Sequence, residues 1–215
     1  MTTSPKPAKG PPLRVTLEGR YVRLEPLALV HAADLYRASE PERFRYLVDQ
    51  PPASEADIVS YLAVQVQRDD AIFFAVIDKV TGMAEGRQAL MRFLPEHGTT
   101  ELGYVYWGPR LARTRGATEA LFLHLSYAFD ELGYRRIEWR CNDRNEASKV
   151  AARRFGFQFE GLFRQSMIVK GENRDTAWFA MLDGDWPRLK VSYERWLDPS
   201  NFDATGQQLS KLQFG

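Results

Sequence analysis

The sequence predicts an α/β fold of the α+β type, in which one domain carries a short extension at each end. Two patterns lead to this class. Short runs that alternate in polarity, or are apolar throughout, predict strands, and runs with apolar residues three or four positions apart predict helices. The order is one strand, two helices, three strands, a helix, a strand, a helix, a hairpin and a last helix. The 215 residues are 44% hydrophobic, which is enough for one sizeable core.

The elements follow from these patterns and from their boundary signals. Residues 1–12 are rich in Pro, Lys and Thr and predict a flexible tail, the domain spans 13–198, and 199–215 form a C-terminal extension. Ser54 and Asp57 resemble a capping box at a helix start. The predicted strands are 17–24, 72–78, 84–93, 101–107, 137–141, 163–170 and 176–182, and the predicted helices are 32–39, 54–68, 117–132, 145–155 and 185–197.

Composition excludes several classes of function. The 29 basic and 28 acidic residues nearly balance, so no global field attracts nucleic acid or an anionic membrane. Cys141 is the single cysteine, which excludes an internal disulfide, and with three histidines far apart in sequence no metal site is expected. No apolar run approaches the roughly 18 residues of a spanning helix, and the first residues lack a hydrophobic segment. We therefore expect no membrane partner and a cytoplasmic location.

The stretch LARTRGATEA, residues 111–120, lies where a predicted strand leads into a helix. Such a loop presents free backbone N–H groups at the positive end of the helix dipole, which favours phosphate. Gly116 permits close backbone approach, and Arg113 and Arg115 could add charge-assisted contacts to a diphosphate. The stretch lacks both GxxxxGK[ST] and GxGxxG. When the stretch is taken alone, plain helix capping is the favoured interpretation.

A second strand-to-helix unit carries Asn145 and Ser148. The ordinary interpretation is that Asn145 caps the helix by accepting the backbone N–H near Ser148. Its position favours a function, because ligands of α/β sheets bind at the ends of neighbouring strands. We therefore expect two helix N-termini to face one crevice.

The segments RTRGATEA, LGYRRIEWRCNDRNEAS and RRFGFQFEGLFRQ resemble the GNAT acetyltransferase superfamily, specifically its RimJ/RimL-type branch of ribosomal-protein N-terminal acetyltransferases. The similarity extends over about residues 17–182. The acyl-CoA motif of the family, (Gln/Arg)-x-x-Gly-x-(Gly/Ala), is met by Arg113 and Gly116 but not by Thr118. If ATEA is instead aligned with the usual ATEA of the family, the first position becomes Ala112 and the glycine becomes Arg115. Either register leaves the motif imperfect.

The resemblance implies a mixed, mostly antiparallel sheet of about seven strands that splays between the fourth strand (101–107) and the fifth (136–141), with helices on both faces. Acetyl-CoA would be the co-substrate and no metal would be required. Asn145 would hydrogen-bond the pantetheine arm, and Arg153 or Arg154 could also meet the phosphates. The backbone groups expected to bind the coenzyme belong to Val105, Tyr106 and Trp107 for the arm and to Arg113, Thr114, Arg115, Gly116, Ala117 and Thr118 for the pyrophosphate.

The resemblance also implies direct transfer of the acetyl group to a primary amine through a ternary complex. Glu101 is the first candidate for the base that deprotonates the amine, and Glu138 is the second. Each could instead be an ordinary strand carboxylate that faces solvent. Ser148 could bond the coenzyme sulfur and supply a proton, or only serve the helix start. Cys141 is disfavoured as a nucleophile because it shares the alternating face of buried strand residues.

The acceptor implied by the resemblance is a protein N-terminus or a small amine, on a monomer or homodimer. A non-catalytic acyl-CoA-binding or scaffold protein on the same fold is the alternative. A nucleic-acid binder is disfavoured by the balanced charge. The side chains that could line the acceptor site are Arg43, Arg45, Tyr46, Trp139, Phe163 and Arg164.

Overall fold

A single eight-stranded sheet organises the protein, whose computed structural model describes residues 4–214. The strand order is β1-β2-β3-β4-β5-β6-β8-β7. Neighbours are antiparallel except β5 and β6, which are parallel. The mixed, mostly antiparallel sheet is thus confirmed. The strands are β1 (Leu17–Glu18), β2 (Val22–Pro26), β3 (Ala71–Asp78), β4 (Ala84–Leu94), β5 (Thr99–Trp107), β6 (Arg136–Asn142), β7 (Gln158–Val169) and β8 (Glu172–Leu182).

The eighth strand arises because residues 17–24 are not one strand, as the sequence pattern predicted. The chain turns after Glu18, and β2 returns antiparallel to β1. The carboxylate of Glu119 holds this turn by accepting the backbone N–H groups of Arg20, Tyr21 and Val22 at 2.8, 2.6 and 2.8 Å. The partner lies about a hundred positions away, so the local pattern could not indicate the turn.

Helices cover both faces of the sheet. One core joins α3, α4 and α5 to apolar side chains of the sheet such as Leu102, Ile137 and Phe179. The other core joins α1 and α2 to the opposite face, through residues such as Phe73 and Met91. These two layers fix the direction in which every strand side chain points. The helices are α1 (Ala32–Arg37), α2 (Glu55–Gln65), α3 (Arg115–Ser126), α4 (Glu146–Arg154) and α5 (Trp186–Leu197).

The predicted helix boundaries hold with local differences. Ser54 accepts the Asp57 N–H and the Asp57 carboxylate accepts the Ser54 N–H, which confirms the capping box of α2. The helix predicted to run to Leu132 changes from α to π geometry at residues 127–131 before Gly133, whose φ of 72° ends it.

Both terminal segments contact the domain. Within the segment expected to be a flexible tail, the Ala8 N–H donates to the Pro95 carbonyl at 2.8 Å and Lys9 N–H to the Leu132 carbonyl at 2.9 Å. In the C-terminal extension, Phe214 lies 5.6 Å from Tyr193 between ring centroids. Residues 1–3 and 215 lie outside the described residues. No helix formed by residues 4–214 is long and apolar enough to cross a membrane.

Candidate active site

The strands β5 and β6 diverge and open a cleft in the middle of the sheet. They pair as parallel neighbours from Thr99 with Arg136 to Glu101 with Glu138, and in the described structure no later pair joins them. Past that point β5 pairs with β4 alone and β6 with β8 alone. The splay expected between 101–107 and 136–141 is therefore present, and a cavity of about 760 Å³ occupies it.

The cleft connects the two faces of the sheet, because no pairing joins β5 and β6 past Glu101. The side chains of each strand alternate between these two faces. Ile137, Trp139 and Cys141 of β6 belong to the core beneath α3 and α4. Glu138 and Arg140 alternate with them and point to the side of α1 and α2. A ligand in the cleft can therefore be reached from both sides of the sheet.

A bulge in β5 shapes the cleft wall. The pairing between β4 and β5 slips between Arg87 and Ala89, and Tyr104 there has a φ of 51°, which is uncommon outside glycine. The buried guanidinium of Arg87 supports the bulge by donating to the Tyr104 carbonyl at 2.9 Å and to Asp49 at 2.5 Å. Val105, Tyr106 and Trp107 follow the bulge and line the cavity, as expected for a strand that a ligand can extend.

Glu101 is a buried carboxylate at the closed end of the cleft. It is 6% exposed, and its Oε2 lies 3.3 Å from Arg140 Nε and 3.5 Å from an Arg92 nitrogen. Neither contact has hydrogen-bond geometry, so this oxygen has no hydrogen-bond partner among residues 4–214. Burial raises the pKa of Glu101, and the two arginines offset part of that rise. A carboxylate with a raised pKa is a stronger proton acceptor than an exposed one.

The carboxylate of Glu138, the second candidate base, already accepts hydrogen bonds from two arginines. Its carboxylate accepts hydrogen bonds from Arg136 Nε and Arg140 Nε at 3.0 Å each. The Arg140 guanidinium also stacks on the Trp178 ring at 3.5 Å. Because both oxygens of Glu138 already have donors, the geometry favours Glu101 as the proton acceptor.

The start of α4 lines the α3 and α4 side of the cleft. Asn145 Oδ1 accepts the Ser148 N–H at 3.1 Å, which is the predicted cap, and its Nδ2 has no hydrogen bond among the described residues. Trp139 Nε1 donates to Ser148 Oγ at 2.9 Å, so the one O–H proton of Ser148 can be donated either to the neighbouring Cys141 thiol or to a group in the cleft. Burial raises the pKa of Cys141, and a hydrogen bond with Ser148 offsets part of this rise. The thiol is therefore protonated, as expected for a structural cysteine.

The start of α3 offers free backbone amides beside the cleft. Thr114 is the N-cap, and its hydroxyl accepts the Ala117 N–H at 3.3 Å. The amides of Arg115 and Gly116 have no hydrogen bond within residues 4–214, as is usual in a first helical turn. Ala112 is the residue of this loop that reaches the cavity wall.

Other residues of the predicted phosphate loop have structural roles. A Cβ on Gly116 would meet Val22 Cγ1 at 3.0 Å, so a larger residue there would have to displace this side chain by a few tenths of an ångström. The Arg115 guanidinium lies 4.3 Å from the Tyr21 ring centroid. Ala117 and Thr118 are buried, and Thr118 Oγ1 accepts from Arg154 at 3.2 Å.

Arg153 and Arg113, which the sequence also suggested as phosphate ligands, differ in the contacts that their side chains make. Arg153 lies over the Phe179 ring at 5.4 Å. Arg113 is exposed with a φ of 66°, and no hydrogen bond, ion pair or ring contact engages its side chain in the part of the chain that is described. Among the arginines considered for phosphate contacts, Arg113 is thus the one whose side chain is available.

The α1 and α2 side of the cleft is lined by some of the expected acceptor residues and by others that the sequence did not indicate. Arg43, Tyr46 and Phe163 line the cavity here, Trp139 lines it from the α3 and α4 side, and Arg45 and Arg164 do not line it. Strand β8 adds Arg174, Thr176 and Trp178, at alternate positions. Their two-residue spacing was a signal in the sequence, but only the pairing of β8 with β6 shows that this row faces the cleft.

No group of three or more His, Cys, Asp and Glu side chains in residues 4–214 could hold a metal ion.

Comparison with known proteins gives the family of this chain. The family described as acetyltransferase (GNAT) domain matches residues 22–158, more than half of the chain. The solved structure of a GCN5-related N-acetyltransferase from Brucella melitensis is 52% identical, with a TM-score of 0.95 over 98% of this chain and 97% of that one. The uncharacterized N-acetyltransferase YnaD of Bacillus subtilis is 29% identical over 118 residues, 55% of this chain and 68% of the relative.

A more distant solved structure shares the fold of this chain. An acetyltransferase from Salmonella typhimurium, described as modifying the N-terminal serine of the 50S ribosomal subunit protein L7/L12, is similar with a TM-score of 0.67. It covers 78% of this chain and 99% of that one at 16% identity, a likeness of fold alone. The family match, the splayed sheet and the cleft between β5 and β6 agree, and the chain belongs to the GNAT family of acetyl-CoA-dependent acetyltransferases.

Proposed function

We propose that this protein transfers an acetyl group from acetyl-CoA directly to a primary amine held in the cleft. The observation that carries this proposal is the cavity between β5 and β6, which joins the two faces of the sheet and has the buried Glu101 carboxylate at its closed end. The donor would enter from the side of α3 and α4, and the amine from the side of α1 and α2.

The groups on the α3 and α4 side suit the donor. The edge of β5 after Glu101 has no strand partner toward β6, so residues 105–107 can pair with the amides of a pantetheine arm. Asn145 Nδ2 can donate to the same arm. The free amides of Arg115 and Gly116, at a helix N-terminus, suit the pyrophosphate, and Arg113 can add charge.

The groups on the α1 and α2 side suit the amine. In the transfer, the amine nitrogen bonds to the acetyl carbonyl carbon and the carbon–sulfur bond breaks. Glu101 takes the proton that the amine loses, directly or through water, and the Ser148 hydroxyl gives a proton to the leaving thiolate. Both residues return to their starting states by exchanging one proton with water. No covalent bond to the protein forms at any point.

The test is acetyl transfer from acetyl-CoA to a panel of amines and short peptides, with thiol release and product mass measured together. We expect one acetylated product for each thiol released. Glu101→Gln should lower the rate about 100-fold or more, a usual size for a general base, with little change in coenzyme A affinity. Coenzyme A binding without thiol release for any acceptor would support the non-catalytic alternative.

Ser148→Ala separates the proton donor from the base. It should lower the rate less than Glu101→Gln does, because water can also protonate a thiolate. It should leave the helix cap intact, because Asn145 bonds the backbone N–H of residue 148 and not its hydroxyl. A full rate in the alanine variant would remove Ser148 from the catalytic set.

A further inference from the structure

On the α1 and α2 side of the cleft, where the amine is proposed to bind, lies a buried arginine that has no hydrogen-bond or ion-pair partner among residues 4–214. Arg174 is 9% exposed and lines the cavity. No hydrogen bond or ion pair engages its guanidinium within residues 4–214, and its Nε is buried without an acceptor. A buried charge is costly unless an opposite charge or a hydrogen-bonding group accompanies it. An anionic group bound in the cleft would therefore be stabilised by this guanidinium.

Most other charged groups of this side are paired. Arg140 lies between Glu101 and Glu138, and Arg92 also approaches Glu101. Asp49 is bound to Arg87 and Arg43 to Glu40. Glu42 has no ion pair among residues 4–214 but is exposed to solvent, so Arg174 is the buried charge that is left without an ion pair.

Hydrogen-bond donors lie on strand β8 beside the Arg174 guanidinium. Arg174, Thr176 and Trp178 occupy alternate positions of β8 and so point to one side. The Thr176 oxygen accepts from Ser166 at 2.6 Å, which leaves its own O–H free to donate. Trp178 Nε1 is buried without an acceptor in the described structure. This row offers hydrogen-bond donors to oxygen atoms.

The carboxylate of Glu101 and the guanidinium of Arg174 belong to residues that line the same cavity. The Glu101 carboxylate attracts an amine, and the Arg174 guanidinium attracts an anion. We propose that the acceptor is a small amine that also carries a carboxylate, with its nitrogen at Glu101 and its carboxylate on Arg174. This inference rests on the proposed function, since it names the substrate class of the same site.

The test compares acceptors that differ only in the negative charge. A series of straight-chain amino acids from glycine to 6-aminohexanoate is assayed against the corresponding amides, which keep the amine and lose the charge. We expect one chain length to be preferred and its kcat/KM to exceed that of the amide about tenfold or more, the usual size for a hydrogen-bonded charge.

Variants of Arg174 test whether this residue causes the preference for the acid over the amide. Arg174→Gln should remove the preference for the acid while the amide is still acetylated, and Arg174→Lys should keep part of it. Arg164→Gln is the matched control, because Arg164 is on the neighbouring strand but outside the cavity. A wild-type protein that uses acid and amide equally, or an Arg174→Gln variant that keeps the preference, would overturn the proposal.

A binding measurement keeps this test separate from the proposed function. Titration calorimetry of the complex with coenzyme A compares 4-aminobutanoate and 6-aminohexanoate with their amides. If no amine releases thiol, the proposed function fails, and the binding of the acids still tests Arg174. If amines are acetylated but acids neither bind nor react better than amides, this inference alone fails.

Discussion

The charge of Arg92, together with burial and Arg140, determines the pKa of Glu101, the proposed base. Its guanidinium lies 3.5 Å from Glu101 Oε2, and the Arg92 side chain is 49% exposed. Two opposite unit charges at 3.5 Å in water attract by about 1.2 kcal/mol. The water value is appropriate because an arginine that is half exposed is screened by solvent. Arg92→Gln removes this attraction.

The expected direction follows from the proton that Glu101 must accept. Burial raises the pKa of Glu101 above its ordinary value, and Arg92 lowers it. Without Arg92 the carboxylate stays protonated to a higher pH. The acid limb of kcat/KM against pH should therefore move to higher pH, and the rate on that limb should fall by at most about eightfold, the factor that corresponds to 1.2 kcal/mol. Activity should fall at pH values on the limb and stay unchanged well above it.

The assay is kcat/KM for one amine acceptor, measured by thiol release across the pH range. Arg110→Gln is the matched control, since Arg110 is an exposed arginine 3.7 Å from a different buried carboxylate, that of Glu85. Its acid limb should not move, and Glu101→Gln should lack this limb. An acid limb that stays in place or moves down in Arg92→Gln would refute the assignment of Glu101 as the base.

Three further predictions test the fold and the donor site. Glu119→Gln should lower the free energy of unfolding by about 2 kcal/mol or more, because the amide cannot accept all three N–H groups of the β1–β2 turn, and urea denaturation measures this loss. Asn145→Asp keeps the acceptor for the Ser148 N–H but loses the free donor, so stability should be retained while coenzyme A binds about fivefold more weakly by calorimetry; equal affinity would contradict that contact. Arg113→Gln should weaken coenzyme A binding several-fold at low salt and less at high salt, and a salt-independent effect would argue against a phosphate contact.

Much of the fold could be predicted because its elements are locally encoded. The period of two in β6 and the capping residues Ser54 and Asn145 determine their elements from neighbouring residues alone, and the structure confirms them. The turn inside 17–24 was missed because Glu119, far along the chain, holds it.

The site could be predicted only in part, for a physical reason. Helix starts and strand ends are visible in a sequence, so Asn145 and Ser148 were identified and line the cavity. The role of a charged side chain depends on what it meets across the sheet. Arg115 looks like a phosphate ligand in the sequence, yet it stacks on Tyr21. Arg174 attracted no notice in the sequence, because its lack of a partner is a property of the folded cleft.

The most direct test of the central claim is a crystal structure with coenzyme A bound. We predict that the pantetheine arm lies between β5 and β6 along residues 105–107, with the sulfur within hydrogen-bond reach of Ser148 and facing Glu101 across the cleft. The pyrophosphate should contact the amides of Arg115 and Gly116. A coenzyme bound on the α1 and α2 side, or outside the cleft, would contradict the account.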